Sequence, residues 1–335
     1  MVRVAILGAG VNGMGCAVKI KEKYPQFDVV VLSKEFTPNT TGDGSAGLWY
    51  PYLCGKTHPD KLIKWGIETY KLMHSLWLQG ADGVSLMPTY SFYQEVPQEL
   101  PAWKDQVFGF TQLSDKQIQY FKQLFSTPYV FGFTFTTFTI EPSKLLPYMM
   151  QRFKDLGGNV QRHHITTLKD EILKSYDIIV NCTGLEAGTV ATDGKMFPIR
   201  GQVCKVKAPW VNFIILDESS GHYIIPNVET IVLGGTHQEN VYDTNVDVND
   251  LKFIMKGCTT IIPGLKHGEV VKHWAGLRPG REHIRLEADQ TNRHCIHNYG
   301  HGGSGVTLFW GCATEVLELL EKALPNETIQ IRSKL

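Results

Sequence analysis

Gly8-Ala9-Gly10-Val11-Asn12-Gly13 follows directly on a short apolar run at residues 2–7 and leads into Val11, Met14 and Val18 at helical spacing, with Pro25 beyond. A strand that turns through G-x-G-x-x-G into a helix opens a βαβ unit, and the N–H groups at the start of that helix face a diphosphate. The glycines have separable tasks. Gly8 makes the tight turn, Gly10 lets backbone approach the ligand, and Gly13 lets the helix pack on the strand. A second buried run at 29–32 completes the unit at the expected distance. The chain is thereby committed to an α/β fold with a nucleotide at the edge of a parallel sheet. The motif alone does not choose between FAD and NAD.

From Thr37 to Pro142 the character changes to aromatics, prolines and polar turns, interrupted by helical stretches at 61–78 and 115–124. A helix at 143–153 and a buried strand with its turn at 178–184 mark a return to the nucleotide sheet. Residues 203–211, 223–226 and 231–233 alternate as strands of a separate antiparallel sheet. A glycine-rich loop at 300–306 and an amphipathic helix at 314–324 follow. The expected division is a nucleotide domain of 1–52, 143–195 and 286–330, a substrate domain of 53–142 and 196–285, and a tail of 331–335.

That tail reads Ser333-Lys334-Leu335, a peroxisomal address at a free C-terminus, so the peroxisomal matrix is the expected location and an import receptor an expected partner. Lysine plus arginine (33) balances aspartate plus glutamate (33), which leaves no global field for nucleic acid or an anionic membrane. Seven scattered cysteines, odd in number and without CxxC spacing, argue for reduced thiols and against a zinc or disulfide framework. No apolar run approaches the roughly 20 residues needed to span a bilayer, and the N-terminus is a strand rather than a signal peptide. A soluble enzyme is expected.

Two further segments carry chemistry. The loop His297-Asn298-Tyr299-Gly300-His301-Gly302-Gly303-Ser304-Gly305 precedes a helix, and a long dinucleotide held at both ends favours a flavin. Arg278-Pro279-Gly280-Arg281 places a guanidinium on a proline-stiffened turn, where it can hold a carboxylate bidentately.

With Phe36-Thr37-Pro38, Ala46-Gly47-Leu48-Trp49-Tyr50-Pro51, Asn181-Cys182-Thr183-Gly184, Arg200-Gly201-Gln202, Tyr223-Ile224-Ile225-Pro226, Gly234-Gly235-Thr236 and Gly276-Leu277-Arg278-Pro279 added in order, the chain resembles the D-amino-acid oxidases and D-aspartate oxidases from end to end. The resemblance implies an FAD-binding Rossmann-like domain with an interleaved, mostly antiparallel substrate domain. It implies oxidative deamination of a D-amino acid by molecular oxygen, giving a 2-oxo acid, ammonia and hydrogen peroxide. It assigns Arg278 and Tyr223 to the substrate carboxylate, the Gly303 carbonyl to the amine, and Tyr50 and Tyr52 to the cavity. For FAD it implies Gly8, Ala9, Gly10, Val11, Asn12, Gly13, Lys34, Glu35, Thr41, Gly42, Ala46, Gly47, Leu48, Ile165, Thr183, Gly302, Gly303, Ser304, Gly305, Val306 and Thr307.

The chain departs from these relatives in three ways. Lys34, followed by Glu35, stands where an acid ordinarily holds the adenosine ribose. The loop between Trp210 and Tyr223 is short, as in D-aspartate oxidases. Leu216 and His237 replace the arginines that bind a side-chain carboxylate there. The expected substrates are therefore D-aspartate and D-glutamate, with modest affinity, His237 and more remotely Lys56 supplying charge. Neutral D-amino acids are the alternative. A nicotinamide dehydrogenase or a non-catalytic flavin-binding protein is the remote one.

Overall fold

The computed structural model describes residues 1–292 and 294–324. The Ser333–Leu335 signal lies outside the described residues.

The opening βαβ unit forms from strand Arg3–Leu7, helix Val11–Lys23 and strand Asp28–Ser33. Both strands are buried almost throughout, as the apolar runs require. Asn159–Arg162, Ile178–Asn181, Cys295–Tyr299 and Arg285–Ala288 extend them to six strands, parallel except for the last, which pairs antiparallel with Cys295–Tyr299 at one edge.

A second sheet of nine strands takes Val84–Tyr93, Phe108–Gln112 and Phe131–Ile140 from the aromatic stretch and the remainder from residues 197–280. All its pairings are antiparallel save that of Val84–Tyr93 with Ile214–Asp217. The aromatic stretch, which shows no helix–strand alternation in the sequence, thus supplies three strands of this sheet. Phe92, Phe133, Phe135 and Phe138 are fully buried there, each worth roughly 1.5–3 kcal/mol of apolar transfer.

Helix Pro59–Leu78, expected in the substrate half, packs along helix Gly305–Ala323 of the nucleotide half. At Gly311 any side chain would strike the Trp65 backbone, its Cβ falling 2.2 Å from the carbonyl oxygen. One apolar core consequently runs from Val4 and Ile6 through Trp65 and Phe309 to Phe133 and Phe138. The seven cysteines are all free and buried. Among the described residues no helix is long and apolar enough to cross a membrane.

Two expectations are corrected here. The last helix begins at Gly305, not Thr314, because the glycine loop ends directly in its first turn. The stretch between Trp210 and Tyr223 is not one loop: buried Ile214–Asp217 forms a strand paired with Tyr223–Pro226, which leaves two short connections, 211–213 and 218–222.

Candidate active site

The two sheets meet at a cavity of about 1010 Å³ that reaches from the start of helix Val11–Lys23 to the face of the nine-stranded sheet. At the first end Gly8 adopts φ +96°, and a Cβ on it would lie 2.6 Å from the Cys182 carbonyl oxygen. Gly13 does not line the cavity. Its Cβ would fall 1.9 Å from the Gly8 carbonyl oxygen, so it serves helix–strand contact. In front of Gly10 there is open space, and no side chain caps the helix that starts there.

Helix Gly305–Ala323, also without a side-chain cap, starts beside it, a Gly305 Cβ falling 3.7 Å from both Asn12 and Val11. Two helix N-termini, each with unsatisfied N–H groups and partial positive charge, thus converge on one space. Asn12 Nδ2 and His301 Nδ1 lie 3.3 Å apart, while buried Asn12 Oδ1 and His301 Nε2 have no partner among the described residues. Burial pushes the His301 imidazole down to about 3, leaving it neutral. A diphosphate-bearing dinucleotide fits this cradle of backbone donors and orphaned polar atoms.

Ala9, Val11, Asn12, Thr41, Gly42, Ala46, Gly47, Leu48, Ile165, Thr183, Gly302, Gly303 and Val306 line the same cavity. Ser304 and Thr307 do not. Both are buried behind the wall, where the Ser304 hydroxyl bonds the Tyr52 N–H and carbonyl at 2.6 and 2.8 Å. Thr307 does likewise for Tyr50, at 3.1 and 3.0 Å. They hold the 48–52 segment in place. At the end of the second strand Lys34 pairs with Glu186, and Glu35 accepts from Arg162 at 3.3 Å. Lys34, Glu35 and Glu186 all face the cavity.

At the opposite end stand Arg278 and Tyr223. Arg278 lies near the close of strand Glu269–Gly280, paired with Ile199, rather than on a turn; Pro279 and Gly280 continue the strand. Its Nη1 donates to the Thr236 carbonyl at 3.0 Å, and its guanidinium carbon sits 5.9 Å from the Tyr52 ring centroid. Arg3, Arg152, Arg162, Arg200, Arg281 and Arg285 each pair with a carboxylate. Among the described residues, Arg278 is the one arginine that does not. Half-buried, it presents an uncompensated charge to the cavity.

Burial raises the Tyr223 hydroxyl above its ordinary range, with Arg278 pulling the other way by charge and hydrogen bond. The Tyr52 hydroxyl is pushed up to about 12 by burial, against Arg278. Both phenols are therefore protonated donors at neutral pH. Gly303 lines this end, and among the described residues no backbone N–H donates to its carbonyl. Arg281 is elsewhere, bonded through Nε to Asp193 at 3.0 Å and through Nη1 to the His283 carbonyl at 2.7 Å.

Around the remaining wall are Tyr50 and Leu216, with His237 exposed at the rim. Lys56 is not there: it pairs with Glu282 at 2.9 Å on the surface, its side chain 77% exposed. Sequence reasoning missed Glu218, a cavity-lining acid held by Tyr50 and Ser91. Its position directly after the buried Ile214–Asp217 run was the available signal.

Residues 3–319 match the family model described as FAD dependent oxidoreductase. The chain belongs to that family. It is 35% identical to the human (Homo sapiens) D-aspartate oxidase over 96% of its own length and 95% of that protein's. To the D-amino acid oxidase of Dugesia ryukyuensis it is 34% identical over 96% and 98%. In fold it is similar to glycine oxidase from Geobacillus kaustophilus, with a TM-score of 0.81 at 16% identity, covering 97% of this chain and 96% of that one. The chain is accordingly an FAD-dependent oxidoreductase, and the cradle of backbone donors fits that cofactor's diphosphate.

Proposed function

We propose that the protein oxidises the Cα–N bond of a D-amino acid, whose carboxylate is held by Arg278 and Tyr223. The observation that carries this reading is the uncompensated Arg278 guanidinium, placed beside two phenol donors at the far end of the cavity from the diphosphate cradle. A guanidinium half-withdrawn from water with no counter-ion gains most from a carboxylate, which it can hold in a bidentate fork.

FAD, when bound, supplies the two-electron acceptor and passes the electrons to oxygen. The chain's own residues supply position. Arg278 and the Tyr223 hydroxyl fix the carboxylate, the Gly303 carbonyl accepts from the amine, and the wall of Tyr50, Tyr52 and Leu216 takes the side chain. Three fixed directions at Cα suffice to select one enantiomer. The imino acid released would hydrolyse to a 2-oxo acid and ammonia, with hydrogen peroxide as the other product.

The acidic preference drawn from the short 210–223 connection has little support in the wall. Leu216 is apolar and buried, His237 is exposed at the rim, and Lys56 is turned away. An imidazole, unlike a guanidinium, is cationic only when protonated. Of the two readings drawn from the sequence, this wall supports the neutral alternative better than the acidic one. Assaying peroxide release from paired D- and L-amino acids tests the proposal: turnover of D-enantiomers alone supports it, and turnover of L-enantiomers or of none overturns it.

We also propose, from Ser333-Lys334-Leu335, that the enzyme works in the peroxisomal matrix, where the peroxide would be confined. Deleting the tripeptide should disperse the protein through the cytosol and leave its activity intact. Unchanged peroxisomal location would refute the assignment.

A further inference from the structure

We propose that Glu218 reads the substrate side chain and selects D-amino acids ending in an ammonium or guanidinium group. This rests on the Arg278-anchored reading above and specifies the substrate class for the same site.

Glu218 is the first residue of the turn after Ile214–Asp217 and lines the cavity. Its Oε1 accepts the Tyr50 hydroxyl at 2.7 Å and the Ser91 hydroxyl at 3.1 Å. Those donors come from the 48–52 segment and from strand Val84–Tyr93, so the carboxyl group is fixed from two sides. Its Oε2 has no partner among the described residues, and no lysine, arginine or histidine there lies within ion-pair distance. Asp217 makes the contrast. One of its oxygens accepts from Tyr129 at 3.1 Å and the other from the Ser219 and Ser220 N–H groups, leaving it a structural acid.

Glu218 and Arg278 both act electrostatically on the Tyr52 hydroxyl, as does Tyr223, so the two charged groups share one pocket. Tyr50, which holds Glu218, and Tyr52, which lies under Arg278, are two residues apart on one segment. A D-amino acid anchored by its carboxylate at Arg278 therefore has an acceptor oxygen within the same chamber for the end of a long side chain.

The residue is half-buried in the cavity wall, and desolvation raises its carboxyl above the ordinary glutamate range, against the two hydroxyl bonds. The other titratable groups facing it are Asp217, Tyr50, Tyr52 and Tyr93, none of them cationic. A half-buried acid with one unused oxygen and no counter-ion gains a charge-assisted hydrogen bond from an incoming cation. A substrate carboxylate would instead meet a like charge or require protonation of one partner.

The test compares D-lysine with D-norleucine, of similar length without the ammonium, and with D-aspartate, on the FAD-loaded enzyme and on Glu218→Gln. The wild type should give D-lysine a kcat/KM above that of D-norleucine and far above that of D-aspartate. Glu218→Gln should lower the D-lysine to D-norleucine ratio about 30-fold, mainly through KM. A wild-type preference for D-norleucine or D-aspartate overturns the inference without needing the variant. An unchanged ratio in a flavin-loaded variant also overturns it. If no D-amino acid is oxidised at all, the failure lies with the Arg278 reading instead.

Discussion

The guanidinium of Arg278 lies over Gly201, so closely that a Cβ at position 201 would fall 2.2 Å from its Nη1. The two residues belong to facing strands, Gly201 opposite Gly276 and Arg278 two residues further on. What the Cβ would meet is the end of a flexible side chain rather than backbone, so the fold can absorb a methyl group by moving the guanidinium. Gly201→Ala should leave thermal stability nearly unchanged while raising KM at least tenfold for every substrate, because a 1 Å displacement of a positioning group costs that much or more. Steady-state kinetics beside a melting curve checks it. A variant that unfolds without a selective KM effect would contradict it.

Arg278 and Arg281 should separate cleanly. Arg278→Ala removes a partner of a desolvated carboxylate, at a cost on the order of 3 kcal/mol in transition-state binding, more than a hundredfold in kcat/KM. Arg281→Ala breaks the pair with Asp193 away from the cavity, so it should lower stability with little change in kcat/KM. Equal kinetic losses at both positions would contradict the assignment.

Acid should weaken the protein partly through Asp193. Burial acts to raise its carboxyl, but the Lys195 N–H, the Tyr299 hydroxyl and Arg281 together hold it below the ordinary range. A lowered folded-state value means that this contribution is fully present above about pH 4 and is lost as pH falls through the folded value. In urea unfolding, Asp193→Asn should be destabilised by on the order of 3 kcal/mol at pH 7, with the gap to the wild type narrowing below pH 4. A gap that widens in acid would contradict the sign.

Gly8→Ala introduces both a disfavoured φ of +96° and a 2.6 Å contact with the Cys182 carbonyl. The turn that sets the helix N-terminus must shift, so the purified variant should carry much less flavin per protein than the wild type. Full flavin occupancy, read from the visible to ultraviolet absorbance ratio, would contradict that role.

The nucleotide half of the fold was legible because its signals are local: Gly8, Gly10 and Gly13 follow one another between an apolar strand and a helix. The sheet built from the aromatic stretch was not. Its strands answer to partners far along the chain, as Ser91 does to Phe133 and to Leu216, and they leave no clean two-residue period: Phe131–Ile140 is buried almost throughout, while Phe108–Gln112 is mostly exposed. Arg278 was identifiable by motif, yet its strand setting depends on Phe197–Lys207 opposite. Ser304 closes a glycine-rich loop suited to a cofactor and Thr307 lies in the first turn of the helix after it, but only the fold shows their hydroxyls turned back on Tyr52 and Tyr50. Glu218 belongs to no motif, and an acid directly after a strand is ordinarily a solvated turn residue.

The most direct measurement is anaerobic mixing of the FAD-loaded enzyme with matched D- and L-amino acids while the flavin absorption is followed. The account predicts rapid bleaching by the D-enantiomer, none by the L-enantiomer, and loss of the D-dependent rate at low substrate concentration in Arg278→Ala. Bleaching by the L-enantiomer, or equal bleaching rates with and without Arg278, would contradict it.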